Sequence, residues 1–428
     1  MKTKLVWVAA VGSSISMGFC LPTASGQETS PTTPTTTAFP TIGYYDDAGN
    51  WIPPSRAKAP DTDSCPQKTW PPEPVSTSER VADTPPPLAP VYDGPCGISA
   101  APGYAVPDKV VASAWLVTDI DSGEVVAMKD PHGRYRPASI IKVLLALVAI
   151  NELDLRDLVP VSEESAGQEG SAAGIGAGGQ YTVEDLLHGL LLNSGNDCAH
   201  ALAQALGGDE ITLYKVNALA KSLGMADTRA TSYSGLDSAG MSTSAWDMSL
   251  AYRAAFADPT FARIVETEHY LFPGFDDLPP FELWNDNQLF LNDPDGIGGK
   301  TGYTDDANHT FVGAVRHDDR RLLAVILDTT AYDARPWQQA QMLLHAAYPV
   351  PAASGVAQLE PVAAAATGTA TPTTPAPTTP NVPAAGASES AEERYPWLPT
   401  DIVAGVLALA VLAVWLTRRS ASRETRQR

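Results

Sequence analysis

The sequence predicts an α+β fold, an antiparallel sheet of about five strands packed with helices, plus an all-helical subdomain. Three observations lead there. "SAWLVTDIDSGEVVAMKD", residues 113–130, sets two apolar runs around Asp121-Ser122-Gly123 and reads as a β-hairpin. From about residue 182 to 256 the periodicity is helical, and from Gly296 onward it returns to strands. Strands at both ends of a domain with helices between them imply one sheet packed on helices, with a helical insertion.

The elements follow in order. After the hairpin comes "RPASIIKVLLALVAI", residues 136–150, an almost wholly apolar core helix with Ser139 near its start. "TVEDLLHGLLLNSGND" starts with Thr182 as a helix cap and repeats apolar residues on one face. "DCAHALAQALGGDEITLYKVNALAKSLG" continues as two helices, stopped at Gly207-Gly208 and Gly224, and "STSAWDMSLAYRAAF" is another. "DGIGGKTGYT" is a strand, and "HTFVGAVRHDDRRLLAVILDTT" is a hairpin turning at Asp318-Asp319. "PWQQAQMLLHAAY" closes the domain as a helix.

Around this domain, residues 103–350, the composition changes sharply. Met1-Lys2-Thr3-Lys4, an apolar run to Phe19 and Ala24-Ser25-Gly26 read as a signal peptide over residues 1–26. Residues 27–102 are rich in Pro and Thr and predict extended, poorly packed chain. Residues 351–395 read as an Ala/Thr/Pro-rich linker. Residues 396–417 have the length and apolarity of a transmembrane helix, with Trp397 and Trp415 at its ends. The tail at 418–428 carries Arg418, Arg419, Arg423, Arg426 and Arg428 and orients that helix. The expectation is a single-pass protein of the cell membrane with its domain on the extracytoplasmic side.

The formal net charge of −21 argues against nucleic acid as a partner. Export permits disulfides, and Cys65 and Cys96, both in the irregular N-terminal region, are expected to pair. Cys198 falls on a helix and reads as a small buried apolar residue. The seven histidines are scattered, with no metal-ligand spacing, so neither metal nor cofactor is expected. "GIGAGG" at 174–179 fits Gly-x-Gly-x-x-Gly, but a polar loop precedes it where a dinucleotide site needs a strand.

Chemistry enters at Ser139-Ile140-Ile141-Lys142. Residues three apart share a helix face, and desolvation lowers a lysine pKa, so this spacing sets a general base beside a nucleophile. The plain alternative is a helix-capping serine and a snorkelling lysine stem. Ser-x-x-Lys turns up roughly once by chance in a chain this long, and Ser55-Arg56-Ala57-Lys58 is such a copy, lying among prolines with no helix to align it. Two further elements are each weak alone. Ser194-Gly195-Asn196 sits on a turn between helices, and Lys300-Thr301-Gly302 sits on a strand after two glycines.

Together, Ser-x-x-Lys on a helix, Ser-x-Asn between helices and Lys-Thr-Gly on a strand form the set found in penicillin-binding proteins and class A β-lactamases. With "PVSEESAGQEGS", "SGLDSAG" and "GIGGKTGYT" around them, residues 103–350 resemble the serine D-alanyl-D-alanine carboxypeptidases, the low-molecular-mass penicillin-binding proteins. The resemblance implies a β-lactamase/transpeptidase-like fold. It implies removal of the terminal D-alanine of peptidoglycan stem pentapeptides, regulating wall crosslinking, with β-lactams as acylating inhibitors. Ser139 would be the nucleophile, Lys142 its base, Ser194 a proton relay and Asn196 an orienting amide. Lys300 and Thr301, with Gly302, would bind the substrate carboxylate. The backbone N–H groups of Ser139 and Tyr303 would form the oxyanion hole. The family is anchored at the membrane by a C-terminal segment. A D,D-endopeptidase or transpeptidase on the same fold stays open. A class A β-lactamase would need a deacylating glutamate, which "DTRATSYSGLDSAGMS" lacks. A non-catalytic wall-binding protein would have lost the nucleophile, base or carboxylate clamp, all of which are present.

Overall fold

The structure is a computed structural model and describes residues 43–45, 51, 52, 54–76 and 78–359. Its first hairpin pairs β1 (Ala114–Asp119) with β2 (Glu124–Lys129), as the alternation predicts. The chain then runs through α1 (Lys142–Glu152), α2 (Val183–Leu192), α3 (Asn196–Ala205), α4 (Asp209–Ser222) and α5 (Ala245–Ala257). It returns as β3 (Gly296–Thr304), β4 (Asn308–His317) and β5 (Arg320–Thr329), and closes with α6 (Pro336–Ala347).

The five long strands order as β3-β4-β5-β1-β2, every pair antiparallel, with β3 at the edge. Two short strands, Ile98–Ala100 and Ala357–Gln358, both pair with β2 and bring the sheet to seven. These are too short for a periodic signal. The second falls within the expected linker, where Leu359 is also buried and donates its N–H to Gly123 O at 2.7 Å.

Both sheet faces are covered, because successive side chains point to opposite sides. Ala114 and Leu116 pack toward α1 and its neighbours, whereas Trp115 and Val117 pack against Leu343 and Leu344 of α6. On the helical side, Thr182 and Asp185 form a reciprocal capping box that starts α2.

The turn that carries Ser139 differs from the simple helix start that the sequence suggests. Ala138–Ile141 is a 3₁₀ turn, and the α-helix begins only at Lys142. Its backbone is held from outside: Tyr252 Oη donates to Ile140 O at 2.9 Å and Thr310 Oγ1 donates to Pro137 O at 2.7 Å. Ala138 adopts φ +47°, a left-handed conformation unusual for alanine.

The described residues of the Pro-rich region, chiefly 54–76 and 78–102, pack on the domain. Cys65 and Cys96 are joined by a disulfide. Arg56 is buried and donates to Ser113 Oγ at 2.8 Å and Asp328 Oδ2 at 3.2 Å.

The expectation of a transmembrane helix, and with it membrane attachment and a single-pass location, is corrected. Among the described residues no helix is long and apolar enough to cross a membrane. The longest of the helices named above, α4, has 14 residues, where a span needs about 20. Residues 396–417, the segment behind that expectation, lie outside the described residues, as do residues 1–26 and 418–428.

Candidate active site

The 3₁₀ turn does what an α-helix does less well: it eclipses side chains three residues apart. Ser139 and Lys142 therefore meet, with Lys142 Nζ 2.8 Å from Ser139 Oγ. Lys142 also donates to Asn196 Oδ1 at 2.7 Å and to Ser234 O at 2.6 Å, and its side chain is fully buried. A neutral amine has two N–H groups and one lone pair. The two carbonyl oxygens take the hydrogens, which leaves the lone pair for the Ser139 hydroxyl.

Electrostatics favour that neutral form. Burial pushes the Lys142 pKa well below the ordinary lysine value, and the ammonium of Lys300 pushes it further. The carboxylates of Asp286 and Asp197 oppose the shift.

Asn196 opens α3, and its orientation is determined by both ends of the amide. Oδ1 accepts from Lys142, while Nδ2 donates to Glu169 O at 2.6 Å. Ser194 sits in the turn before it, 5% exposed, at φ +66°. Among the described residues no hydrogen bond joins Ser194 to Ser139 or Lys142.

β3 forms the opposite wall. Lys300 is fully buried, donates to Thr301 O at 3.1 Å and lies 3.8 Å from Asp286 Oδ2. Burial lowers its pKa as well, against the pull of Asp286. Thr301 Oγ1 donates to Asp286 Oδ2 at 2.7 Å. A Cβ on Gly302 would stand 2.3 Å from Thr310 Oγ1 and 3.1 Å from the backbone nitrogen of Ser139. Only glycine lets this strand come so close to the turn that carries Ser139. Tyr303 follows, 40% exposed, its ring tilted against His309.

The arrangement thus holds a serine beside a buried amine whose neutral form is favoured, an orienting amide, and a strand carrying a second amine and a hydroxyl. It suits acyl transfer from a substrate bearing a carboxylate. Comparison with known proteins agrees. The family model for D-alanyl-D-alanine carboxypeptidase matches residues 101–331.

The chain belongs to the D-alanyl-D-alanine carboxypeptidase family.

Among curated relatives, it is 42% identical over 250 residues to the D-alanyl-D-alanine carboxypeptidase DacB2 of Mycobacterium tuberculosis, covering 58% of this chain and 85% of that protein. It is 30% identical over 239 residues to DacF of Bacillus subtilis, covering 54% of this chain and 61% of that one. A crystal structure of a D-alanyl-D-alanine carboxypeptidase from M. tuberculosis is similar at a TM-score of 0.58 and 39% identity, covering 61% of this chain and 99% of that chain.

Several residues of this carboxypeptidase site escaped the sequence reading. Asp197, directly after Asn196, accepts from the backbone of Ala173 at 2.9 Å, Gly174 at 2.8 Å and Ile175 at 3.1 Å, and so holds the loop that faces the cleft. Its adjacency to the Ser-x-Asn element was the available signal. Ser234 acts through its carbonyl, and Gly235 packs where a Cβ would lie 2.0 Å from Ala138 O. Asp286 sits in a polar loop 14 residues before Lys300 and carries no pattern.

One acidic trio among the described residues, Glu79, Asp237 and Asp306, brings carboxylate oxygens within 4.8 Å of one another. Arg136 already serves it, its guanidinium bound to Glu79 through both Nε and Nη2, the latter at 2.7 Å. Burial raises the Asp237 carboxyl to about 6 and raises Glu79 as well.

Proposed function

We propose that this chain is a serine-type D-alanyl-D-alanine carboxypeptidase acting on peptidoglycan stem pentapeptides. The observation that carries the reading is the saturated hydrogen bonding of Lys142, which leaves its one lone pair directed at Ser139 Oγ, 2.8 Å away.

The steps follow from these atoms. Lys142 takes the hydroxyl proton as Ser139 Oγ attacks the carbonyl between the two D-alanines. The oxyanion that forms is met by the backbone N–H groups of Ser139 and Tyr303. The proton on Lys142 returns through the Ser194 hydroxyl to the leaving amine, the C–N bond breaks, free D-alanine departs, and Lys142 is neutral again. Lys300 and Thr301 hold the carboxylate of that D-alanine. Water, deprotonated by the same amine, then attacks the ester, and the shortened peptide leaves with Ser139 restored. A β-lactam opens by the same attack, but its leaving amine stays attached to the acyl group, so the ester persists.

The test is D-alanine release from a pentapeptide ending in D-Ala-D-Ala. Wild type should release it, and Ser139→Ala should lose at least about a thousandfold in rate. A folded wild-type protein that neither releases D-alanine nor is acylated by penicillin would sink this function.

A further inference from the structure

The N-terminal segment before residue 101 lies outside the matched family region, yet it reaches the active-site strand. Trp51 Nε1 donates to Tyr303 Oη at 2.6 Å, across 252 residues of chain. The same segment is pinned again just past the end of β3. The backbone nitrogens of Val75 and Ser76 donate to Asp306 Oδ1 at 2.5 and 2.9 Å. Glu79 is bound to Arg136, three residues before Ser139. Asp306 is linked in turn to the loop after Gly235, since its N–H donates to Asp237 Oδ2 at 3.2 Å. The extension therefore bounds the C-terminal end of the substrate-binding strand at two separate points.

The pleat shows which side it bounds. Successive side chains of a strand alternate between faces. Lys300 and Gly302 point toward α1 and the nucleophile turn, so Thr301 and Tyr303 share the other face. In the proposed reaction Thr301 holds the carboxylate of the departing D-alanine. Tyr303 stands one repeat further along that face, with the indole of Trp51 attached to its hydroxyl. An indole is among the largest rigid surfaces a side chain offers.

We infer that Trp51, held by Tyr303, walls the leaving-group side of the cleft and selects a terminal D-alanine over a bulkier leaving amine. The amine excluded is a D-amino acid centre that continues into a second stem peptide, as in a D,D-crosslink. A methyl and a carboxylate fit beside Thr301; a chain extending past Tyr303 meets the indole. This rests on the reaction proposed above, and it makes the extension a specificity element of this chain.

The test compares two substrates with the full chain: release of D-alanine from a linear pentapeptide, and release of monomer from a D,D-crosslinked muropeptide dimer. Penicillin acylation reports whether the site is assembled. Trp51→Ala should raise the ratio of crosslinked to linear rates by about tenfold or more, the scale on which pockets discriminate small groups. Tyr303→Phe removes one hydrogen bond to the indole without removing the indole and should raise the ratio about threefold. An unchanged or lowered ratio in a Trp51→Ala protein that still binds penicillin overturns the wall. If Trp51→Ala does not bind penicillin, an unchanged ratio in Tyr303→Phe overturns it instead. Wild type that neither releases D-alanine nor binds penicillin removes the underlying reaction, a different failure.

Discussion

At the residue scale the chemistry depends on one proton. Lys142 is a base only when neutral, and burial beside Lys300 keeps it neutral well below the pH at which a free lysine deprotonates. The sign follows directly. Activity falls as pH drops through the lowered Lys142 pKa and is sustained above it. Removing the Lys300 charge takes away one of the two depressing influences, so the Lys142 pKa rises. Lys300→Met should therefore move the acid limb of penicillin acylation to higher pH, besides weakening carboxylate binding. A limb that stays in place, read from the second-order acylation rate against pH, would show that burial alone sets the base.

At the element scale, three backbones must meet around Ser139: the 3₁₀ turn, β3 and the loop at Ser234-Gly235. Gly302 and Gly235 make two of those approaches possible. Gly235 carries φ +85° and lies so close to Ala138 O that a Cβ would stand 2.0 Å away. Gly235→Ala must displace the Ala138–Ser139 peptide, the Ser234 carbonyl that orients Lys142, or both. Misplacement of about 1 Å costs on the order of a hundredfold in rate, so acylation by penicillin should fall by about that factor. Retention of the wild-type acylation rate would mean that the turn has slack. The sequence pattern placed β3 as a strand and the apolar run after Ser139 as a helix, because their periodicity is strong. It did not reveal the 3₁₀ turn, because that geometry is imposed by Tyr252 and Thr310, which come from other elements.

At the scale of the whole molecule, the N-terminal segment is fastened to the domain by polar anchors. The Arg136–Glu79 pair has side chains only 4% and 5% exposed. Removing Glu79 leaves Arg136 bound to Pro72 O and close to the carboxylates of Asp237 and Asp306, so the cost is that of the lost charged hydrogen bonds, about 1–3 kcal/mol. Glu79→Ala should destabilise the protein by about that amount in chemical denaturation, and its position near Ser139 predicts slower acylation too. A loss below about 1 kcal/mol would mean that water reaches Arg136 once Glu79 is gone.

Local pattern by itself determined much of this protein: the strand–helix–strand order, the three motifs and the nearness of Ser139 to Lys142 were legible, because periodicity and i, i+3 spacing are short-range properties. The tertiary structure alone decided what was long-range. It placed Ser234 O and Asn196 Oδ1 on the two hydrogens of Lys142, Asp286 beside Lys300 and Thr301, and Trp51 against Tyr303. A proline-rich stretch has no periodic face, so nothing local tells where it goes; its course is chosen by the distant carboxylates and hydroxyls that satisfy it.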